Sequence, residues 1–220
     1  MKKLAKRYSK LLSSIYNVIM NNRVCGLSGN SFVRKNTYLK GLRLRFFGVG
    51  NQVIIGGAKT AVLTNCHIAI HGKNCKVVVG DGVCAKDLTI YCADENCLVH
   101  VMSDTQIAGK TELAVMEGTR IIVGKDCLFS ANITLRAGDS HSVIDAHTGE
   151  RINQSRDIIV GDHVWIGNTV IITKGTVISN NSVVATGSVV TGKIFPENSA
   201  IGGNPAKVVK EGISWCAEKL

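Results

Sequence analysis

A polar stretch in the second half of the chain carries residues whose types could do chemistry. Residues 137–157 contain two histidines, His141 and His147, together with the carboxylates of Asp139 and Asp145. An imidazole titrates near neutral pH and can take the proton of a hydroxyl group as that oxygen becomes a nucleophile. A neighbouring carboxylate can fix the tautomer of the imidazole, although aspartates are also common turn residues. The stretch is therefore a candidate site for acid–base chemistry.

A six-residue repeat surrounds this stretch and must provide the frame that positions it. Every sixth residue is a β-branched aliphatic, and the residue after each is small. The aliphatic residues are Val160, Ile166, Ile172, Ile178, Val184 and Val190. Six residues of α-helix turn through about 600°, so this period defines no helix face, whereas it is a multiple of the two-residue strand period. The repeat predicts a parallel β-helix, whose short strands bury their aliphatic side chains by stacking.

The extent of the repeat predicts the domain organisation. Residues 46–205 are expected to form the β-helix. Residues 137–157, where the repeat stops, are expected to leave one corner as an extruded loop, and a loop of that length is usually functional. We predict a short C-terminal helix over residues 206–220 and a basic helical cap over residues 1–45.

The N-terminal segment 2–20 has the pattern of a basic amphipathic helix. Its apolar face consists of Leu4, Tyr8, Leu11, Leu12, Ile15 and Ile19. Five lysines and arginines gather near the start of the other face. One interpretation is that the helix covers the open end of the coil, and the other is reversible attachment to an anionic membrane surface. The sequence leaves both open.

The net charge of +10 is unevenly distributed. Residues 1–80 contain 14 of the 26 lysines and arginines and no aspartate or glutamate. Such a block can meet a nucleic acid, an anionic membrane or a polyanionic substrate. Because no groove-reading motif or aromatic-interleaved basic stripe accompanies the charge, we expect no nucleic-acid partner. No apolar run is long enough to span a bilayer.

The eight cysteines and the pair His67 and His71 do not form a metal-binding pattern. There is no C-x-x-C pair, and no third histidine joins the two at convincing spacing. Several cysteines fall at interior positions of the repeat, and no secretory signal is present. We therefore expect free, buried thiols in a reducing cytosol and no bound metal.

Three landmarks, in order along the chain, connect these features. The first is RAGDSHSVID, which contains His141, and the second is VGDHVWIGNTV, which contains Trp165 twenty-four residues later. The third is VVATGSVVT followed by GGNPAKVVK. Together they resemble the left-handed β-helix acyltransferases of the hexapeptide-repeat family, in particular bacterial sugar and capsular polysaccharide O-acetyltransferases. The resemblance implies an all-β, left-handed parallel β-helix, a hand that the spacing alone does not reveal.

The resemblance also implies roles for the loop residues. His141 is the general base that deprotonates an acceptor hydroxyl for direct attack on acetyl-CoA, without an acyl-enzyme, and His147 is the rival base. Trp165 is the tryptophan that shapes the slot where thioester and acceptor meet. Asp139 orients the His141 imidazole, with Asp145 as the alternative.

Further residues lie at the family's acetyl-CoA contact positions. These are Asn168, Ala185, Thr186, Thr191, Lys207 and Lys210, and the two lysines can meet the phosphates of the cofactor. One departure concerns an asparagine that sugar acetyltransferases carry about thirty residues before the histidine, where this chain has Thr111 and Glu112. Arg136 could pair with a carboxylate of the acceptor or be an exposed structural charge.

In the family that the chain resembles, the site lies between neighbouring subunits of a trimer. We therefore expect a cytoplasmic homotrimer with a carbohydrate acceptor, with peripheral contact at the inner membrane as an alternative for residues 2–20. Two other functions stay open at this point. One is an acetyltransferase for a small acceptor such as serine or an antibiotic, and the other is a non-catalytic β-helix used for assembly.

Overall fold

The computed structural model describes residues 12–218, which wind into a coil of short strands. The strands in chain order are β1 (Arg23–Cys25), β2 (Ser31–Lys40), β3 (Arg43–Phe46), β4 (Gln52–Thr64), β5 (His67–Ile70), β6 (Lys76–Val79), β7 (Cys84–Lys86), β8 (Leu88–Cys92), β9 (Leu98–Val101), β10 (Gln106–Ile107), β11 (Thr111–Val115), β12 (Arg120–Val123), β13 (Leu128–Phe129), β14 (Ile133–Arg136), β15 (Ile158–Val160), β16 (Trp165–Ile166), β17 (Ile171–Thr173), β18 (Val177–Ile178), β19 (Val183–Val184), β20 (Val189–Val190), β21 (Ile194–Phe195), β22 (Ser199–Gly203) and β23 (Ala206–Glu211).

The strands form three parallel stacks, which are the three sides of the coil. Side A contains β1, β3, β5, β8, β11, β14, β17 and β20. The long strand β4 bends around a corner, so its first part pairs with β6 and its last part with β7. Side B continues from β6 through β9, β12, β15, β18 and β21, and side C from β7 through β10, β13, β16, β19 and β22. Strand β2 stacks in parallel on β4.

The aliphatic residues of the six-residue repeat all point into the coil, as predicted. Each of the six residues from Val160 to Val190 has at most 1% of its surface exposed. Strands such as β12 alternate exposed or half-buried residues with buried ones, because successive side chains point to opposite faces. Each fully buried valine or isoleucine contributes about 2 kcal/mol relative to an exposed one. The stacked interior is therefore the main source of stability.

Small residues at the corners allow successive turns to approach closely. A Cβ atom on Gly124 would lie 2.3 Å from the carbonyl oxygen of Gly161 in the next turn. A Cβ atom on Gly161 would in turn lie 2.4 Å from Oδ1 of Asn180. Other corners use asparagine or aspartate with positive φ, for example Asn65 and Asp87, because these residues tolerate the left-handed conformation. Gly, Asn and Asp are therefore suited to these corners.

The N-terminal region differs from the predicted helical cap over residues 1–45. Helix α1 is seen over residues 12–19, and the part of the predicted amphipathic helix before residue 12 lies outside the described residues. The stacked strands already begin with β1 at Arg23, not at residue 46. Irregularities such as the register shift between Lys35 and Thr37 disguise the repeat in this part of the sequence. Within residues 12–218, no helix is long and apolar enough to cross a membrane.

The predicted C-terminal helix over residues 206–220 is wrong for residues 206–218, and residues 219 and 220 lie outside the described residues. Residues 206–211 form β23, which pairs antiparallel with β22 and follows a turn at Asn204 and Pro205. The last strand on side C would otherwise leave backbone donors and acceptors unpaired, and β23 satisfies them. Residues 212–218 are not helical either.

Candidate active site

The chain leaves the coil between Arg136 at the end of β14 and Ile158 at the start of β15, the interval predicted for the extruded loop. The loop therefore projects from the corner between sides A and B. Its two ends lie close together, since the Arg156 backbone N–H donates to the Ala137 carbonyl over 2.9 Å. A Cβ atom on Gly138 would lie 2.0 Å from Oγ of Ser155 and would collide with it. The base of the loop is thus a narrow, defined neck.

Asn153 is the centre of the hydrogen-bond network that shapes this loop. Its buried side-chain amide donates from Nδ2 to Oδ2 of Asp139 and to the carbonyl oxygen of His141, both at 2.8 Å. Its Oδ1 accepts the backbone N–H of Val143 at 2.8 Å. One buried amide thus binds Asp139 before His141, the carbonyl of His141 itself and the N–H of Val143 after it. Asn153 therefore holds the histidine backbone in place. Sequence reasoning missed it, since an asparagine in a polar loop carries no distinctive spacing.

Asp139 does not orient the imidazole directly within one chain. Its Oδ2 accepts hydrogen bonds from Nζ of Lys174 at 2.5 Å and from Asn153. The hydrogen bond from Lys174 and that from Asn153 lower the pKa of the Asp139 carboxyl. Its connection to His141 therefore runs through Asn153 to the backbone. Asp145 is a turn residue, because its Oδ1 accepts the backbone N–H groups of two residues that follow it in the loop.

The imidazole of His141 is exposed at the surface of the loop. Among residues 12–218 of a single chain it has no hydrogen-bond partner. His147 is also exposed, and only its backbone N–H contacts Asp145. The geometry of one chain thus leaves the ring of His141 free to meet a substrate or a neighbouring subunit.

A cationic cleft of about 510 Å³ opens at the neck of the loop. Its lining includes Arg136, Arg156, Lys174, Thr191 and Lys193. Arg136 donates to Oγ of Ser140 at 2.7 Å and lies 3.5 Å from a carboxylate oxygen of Glu112, and Lys174 pairs with Asp139. Within the described residues, Arg156 and Lys193 form no ion pair. The cleft therefore offers two uncompensated positive charges next to the histidine loop.

Glycines on the two following turns make room for the Arg156 side chain. Its guanidinium would lie 3.0 Å from a Cβ atom at Gly175, and its Nη2 would lie 3.6 Å from one at Gly192. The sequence contains a signal that could have revealed this cleft. Arg156 and Lys174 are eighteen residues apart, as are Gly175 and Lys193, and eighteen residues are three six-residue units, or one turn.

Side C carries a second group of predicted site residues around Trp165. This residue lies on β16 and is 39% exposed. The ring of Trp215 lies 6.1 Å from it and is stacked on His163 at 4.3 Å. Trp215 is held there because its indole N–H donates to the His163 carbonyl, while the His163 ring contacts Asp126 and the Trp215 carbonyl. Sequence reasoning missed this C-terminal aromatic contact because residues 206–220 were predicted to be helical.

Most of the predicted acetyl-CoA residues also lie near side C. Asn168, Ala185 and Thr186 occupy the corner between sides C and A in adjacent turns, where the Gly187 N–H donates to the Asn168 carbonyl at 2.9 Å. Ala185 and Thr186 are exposed there.

The two predicted cofactor lysines are exposed on β23 beside β22, with Lys207 paired opposite Gly202 and Lys210 opposite Ala200. Thr191 is the exception among the predicted cofactor residues, because it lines the cationic cleft at the corner between sides A and B.

A single chain therefore brings the predicted residues into two separate groups. His141, Asp139 and Thr191 lie at or beyond the corner between sides A and B. Trp165 and the predicted cofactor residues other than Thr191 lie on side C and at its corner with side A. These groups are on different sides of the coil and do not meet within one chain.

The histidines considered for metal binding have other contacts. His71 stacks on Phe47 at 4.1 Å and lies 5.3 Å from Tyr91, and His67 lies on β5. In the part of the chain that the structure describes, no three His, Cys, Asp or Glu side chains are grouped around one possible metal position.

The chain is similar to known O-acetyltransferases in sequence and fold. No protein-family profile matches the chain. A polysialic acid O-acetyltransferase of Neisseria meningitidis is 33% identical over 191 residues, which cover 86% of each protein. A polysialic acid O-acetyltransferase of Escherichia coli O1:K1 is 46% identical over 101 residues, or 46% of this chain and 33% of its own. The crystal structure of the polysialic acid O-acetyltransferase OatWY superposes with a TM-score of 0.81 and 31% identity, covering 87% of this chain and 90% of that one.

The parallel β-helix with its extruded loop, together with the similarity to these relatives, places the chain in the class of β-helix acyltransferases. Within that class, the chain belongs to the family of bacterial O-acetyltransferases that includes the Neisseria protein. The protein is therefore an acetyltransferase.

Proposed function

We propose that the protein transfers an acetyl group from acetyl-CoA to a hydroxyl of an anionic polysaccharide, and that polysialic acid is the first acceptor to test. The cationic cleft at the neck of the loop is the observation that carries this assignment. Each unit of polysialic acid bears one carboxylate, and Arg156 offers a guanidinium without an anionic partner among the described residues. Arginine is suited to carboxylates because it donates two parallel hydrogen bonds. The relatives that act on polysialic acid support the same choice.

His141 is the general base in this proposal. Its neutral imidazole takes the proton of the acceptor hydroxyl as the oxygen attacks the carbonyl carbon of the thioester. The tetrahedral intermediate then collapses, the C–S bond breaks, and the thiolate of CoA recovers the proton from the imidazolium. A histidine is suited to both transfers because its pKa in water lies near neutrality. Asn153 and Asp139 are positioning residues, since they fix the backbone of His141.

Acetyl-CoA is assigned to side C and its corner with side A. Ala185 and Thr186 are small and exposed, so they leave room for the pantetheine chain along the coil. Asn168 lies beside them in the adjacent turn. Lys207 and Lys210 are exposed cations that can meet the phosphates of the cofactor. Trp165 lies on the same side and would face the thioester. No residue of this set is assigned to a metal.

The proposal requires contact between subunits, because the base and the proposed cofactor residues lie on different sides of one chain, and we propose a homotrimer. If the loop of one subunit covers side C of the next, His141 meets the slot beside Trp165 of that neighbour. Closed cyclic assembly of identical chains then produces equal sites between subunits. Since acetyl-CoA is a cytoplasmic metabolite, the cytoplasm is the proposed location.

The test replaces His141 with alanine. We expect His141→Ala to lose at least about a hundredfold of its turnover, since removing a general base costs at least that much. Binding of acetyl-CoA and the trimer mass should stay unchanged, because His141 is exposed and supports no other side chain. The assay measures acetyl transfer from labelled acetyl-CoA to polysialic acid, and calorimetry and light scattering follow binding and mass.

His147→Ala is the matched control, because it removes the other exposed imidazole of the same loop. It should keep full turnover. Normal turnover in His141→Ala would disprove the assignment of the base. Transfer to serine or a small antibiotic, with none to polysialic acid, would disprove the acceptor.

A further inference from the structure

An apolar cap would turn its aliphatic face towards the coil, and helix α1 has the opposite orientation. Its polar residues Ser13 and Asn17 are buried against the first turn of the coil. Its aliphatic residues point away from the coil. The exposed fractions are 60% for Leu12, 52% for Ile15, 76% for Val18 and 66% for Ile19. The apolar face of the predicted amphipathic helix is thus presented outward, as far as the described residues show.

Specific hydrogen bonds fix this orientation. The Asn17 side chain donates to the Thr37 carbonyl at 2.8 Å and accepts the backbone N–H of Leu39 at 2.6 Å. The amide thereby occupies the position that a further strand would take on β2. Rotating the helix to bury Ile15 and Ile19 would break both bonds and leave backbone groups unpaired, which is costly in a buried setting. The outward apolar face is therefore the stable arrangement.

Exposed cations without acidic partners lie beside this face. Arg34 and Lys35 line a cavity together with Ser13 and Asn17 of the helix, and both side chains are exposed. None of the lysines and arginines between residues 12 and 45 forms an ion pair within the described part of the chain. The sequence contains no acidic residue before Asp81, so the whole N-terminal end carries positive charge.

We infer that this face of α1, with Arg34 and Lys35, is a docking surface for an anionic lipid bilayer. Aliphatic side chains enter the interface between headgroups and acyl chains, while lysine and arginine stay at the level of the anionic headgroups. A soluble polyanion would engage the cations but would leave the four aliphatic side chains in water. The combination on one surface therefore favours lipid. The inference does not depend on the proposed acceptor or on the role of His141.

The experiment uses sedimentation of the full chain with vesicles. Vesicles of phosphatidylcholine alone are compared with vesicles that also contain phosphatidylglycerol. We expect binding only to the second kind, and weaker binding at high salt, because the attraction to headgroups is screened. The double substitution Ile15→Ser and Ile19→Ser should weaken binding by about tenfold or more, because it removes two inserted side chains but no charge.

The matched control is Ile194→Ser on β21, in the last turn of the coil. Ile194 is 77% exposed, comparable to the helix residues, and lies at the other end of the molecule. It should bind vesicles like the unsubstituted chain. Transfer of acetyl to a soluble acceptor should be unchanged in both variants.

Three results would overturn the inference. The chain could fail to sediment with anionic vesicles, or the double variant could bind as well as the control. A change in oligomer mass of the double variant without lipid would assign the face to contact between copies of the chain instead. Loss of acetyl transfer in His141→Ala has no bearing on any of these readouts, so the two proposals fail separately.

Discussion

Arg156 is the residue that best separates acceptor binding from cofactor binding. Its guanidinium lies in the cationic cleft without an ion-pair partner among the described residues. We expect Arg156→Gln to raise the KM for polysialic acid about tenfold, since a charge-assisted pair with a carboxylate is lost, and to leave the KM for acetyl-CoA unchanged. Steady-state kinetics with each substrate varied in turn measures both.

Lys207→Gln provides the opposite control to Arg156→Gln. It removes an exposed cation from β23 on side C and should raise the KM for acetyl-CoA only. If Arg156→Gln raised the KM for acetyl-CoA instead, the cleft would bind the phosphates of the cofactor and not the carboxylates of the acceptor.

Individual residues were predictable where they obey the six-residue period. The inward aliphatic residues from Val160 to Val190 followed directly from spacing, because burial is set by strand geometry. Arg156 and Asn153 were not found, because their roles depend on contacts with other turns. The sequence brings those turns together only once the eighteen-residue turn length is known.

The extruded loop is the element whose stability should respond to acid. Glu117 accepts a hydrogen bond from Arg151 at 2.6 Å and another from the Ser155 backbone N–H at 3.1 Å. These contacts lower the pKa of the Glu117 carboxyl from 4.5 to about 2. Because the folded pKa is depressed, the stabilisation is complete above pH 4.5 and is lost as the pH falls towards about 2.

Glu117→Gln should loosen the loop at neutral pH without unfolding the coil. Amide hydrogen exchange of residues 137–157, corrected for intrinsic rates, should be faster in the variant at neutral pH. The difference from the unsubstituted chain should disappear as the pH approaches about 2, where Glu117 is half protonated or more. An equal difference at both pH values would show that the carboxylate charge does not hold the loop.

The two terminal elements show what an amphipathic pattern leaves undetermined. The helical pattern before Met20 was correct in type over residues 12–19, but it did not reveal that Asn17 would bind the strand edge. The hydrogen bonds of Asn17 to the backbone at the edge of β2 determined the orientation of the helix, and burial of its apolar face did not. At the other end, the open edge of β22 recruited residues 206–211 into a strand, which overrode a weak helical signal.

The cysteines offer a test of the whole coil. Cys66, Cys75, Cys92, Cys97 and Cys127 are buried, and Cys25, Cys84 and Cys216 are exposed. Burial raises the pKa of the Cys66 and Cys127 thiols to about 11. Since the thiolate is the reactive form, a thiol reagent at neutral pH should label the three exposed cysteines in the folded protein and all eight after denaturation.

Labelling of a fourth or fifth cysteine under native conditions would show that the interior opens. The prediction of free thiols agrees with the structure, in which the eight cysteines are unpaired. The expectation that they are buried is right for five of them. Cys84 and Cys25 lie at outward positions of β7 and β1, which strand alternation explains once the register is known.

At the scale of the molecule, the class of fold was predictable and the arrangement of the site was not. A repeat of six residues leaves few alternatives to a stacked coil. The separation of His141 from Trp165 becomes visible only when each residue is assigned to a side. Spacing along the chain does not show on which side a residue lies. The twenty-one residues 137–157 form a loop outside the six-residue repeat and have to be left out when the turns are counted.

Strand edges at the two ends of the coil are partly covered, and this has a consequence for how the protein behaves at high concentration. The side-chain amides of Asn17 and Asn22 pair with backbone groups of Leu39, and Asn22 also accepts the N–H of Leu42. At the far end, β23 runs against the direction of every strand on side C. A coil of parallel strands could otherwise add copies head to tail into filaments. Here side chains cover backbone groups of Leu39 and Leu42 at one end, and β23 reverses the strand direction on side C at the other, so we expect head-to-tail addition at these two edges to be disfavoured.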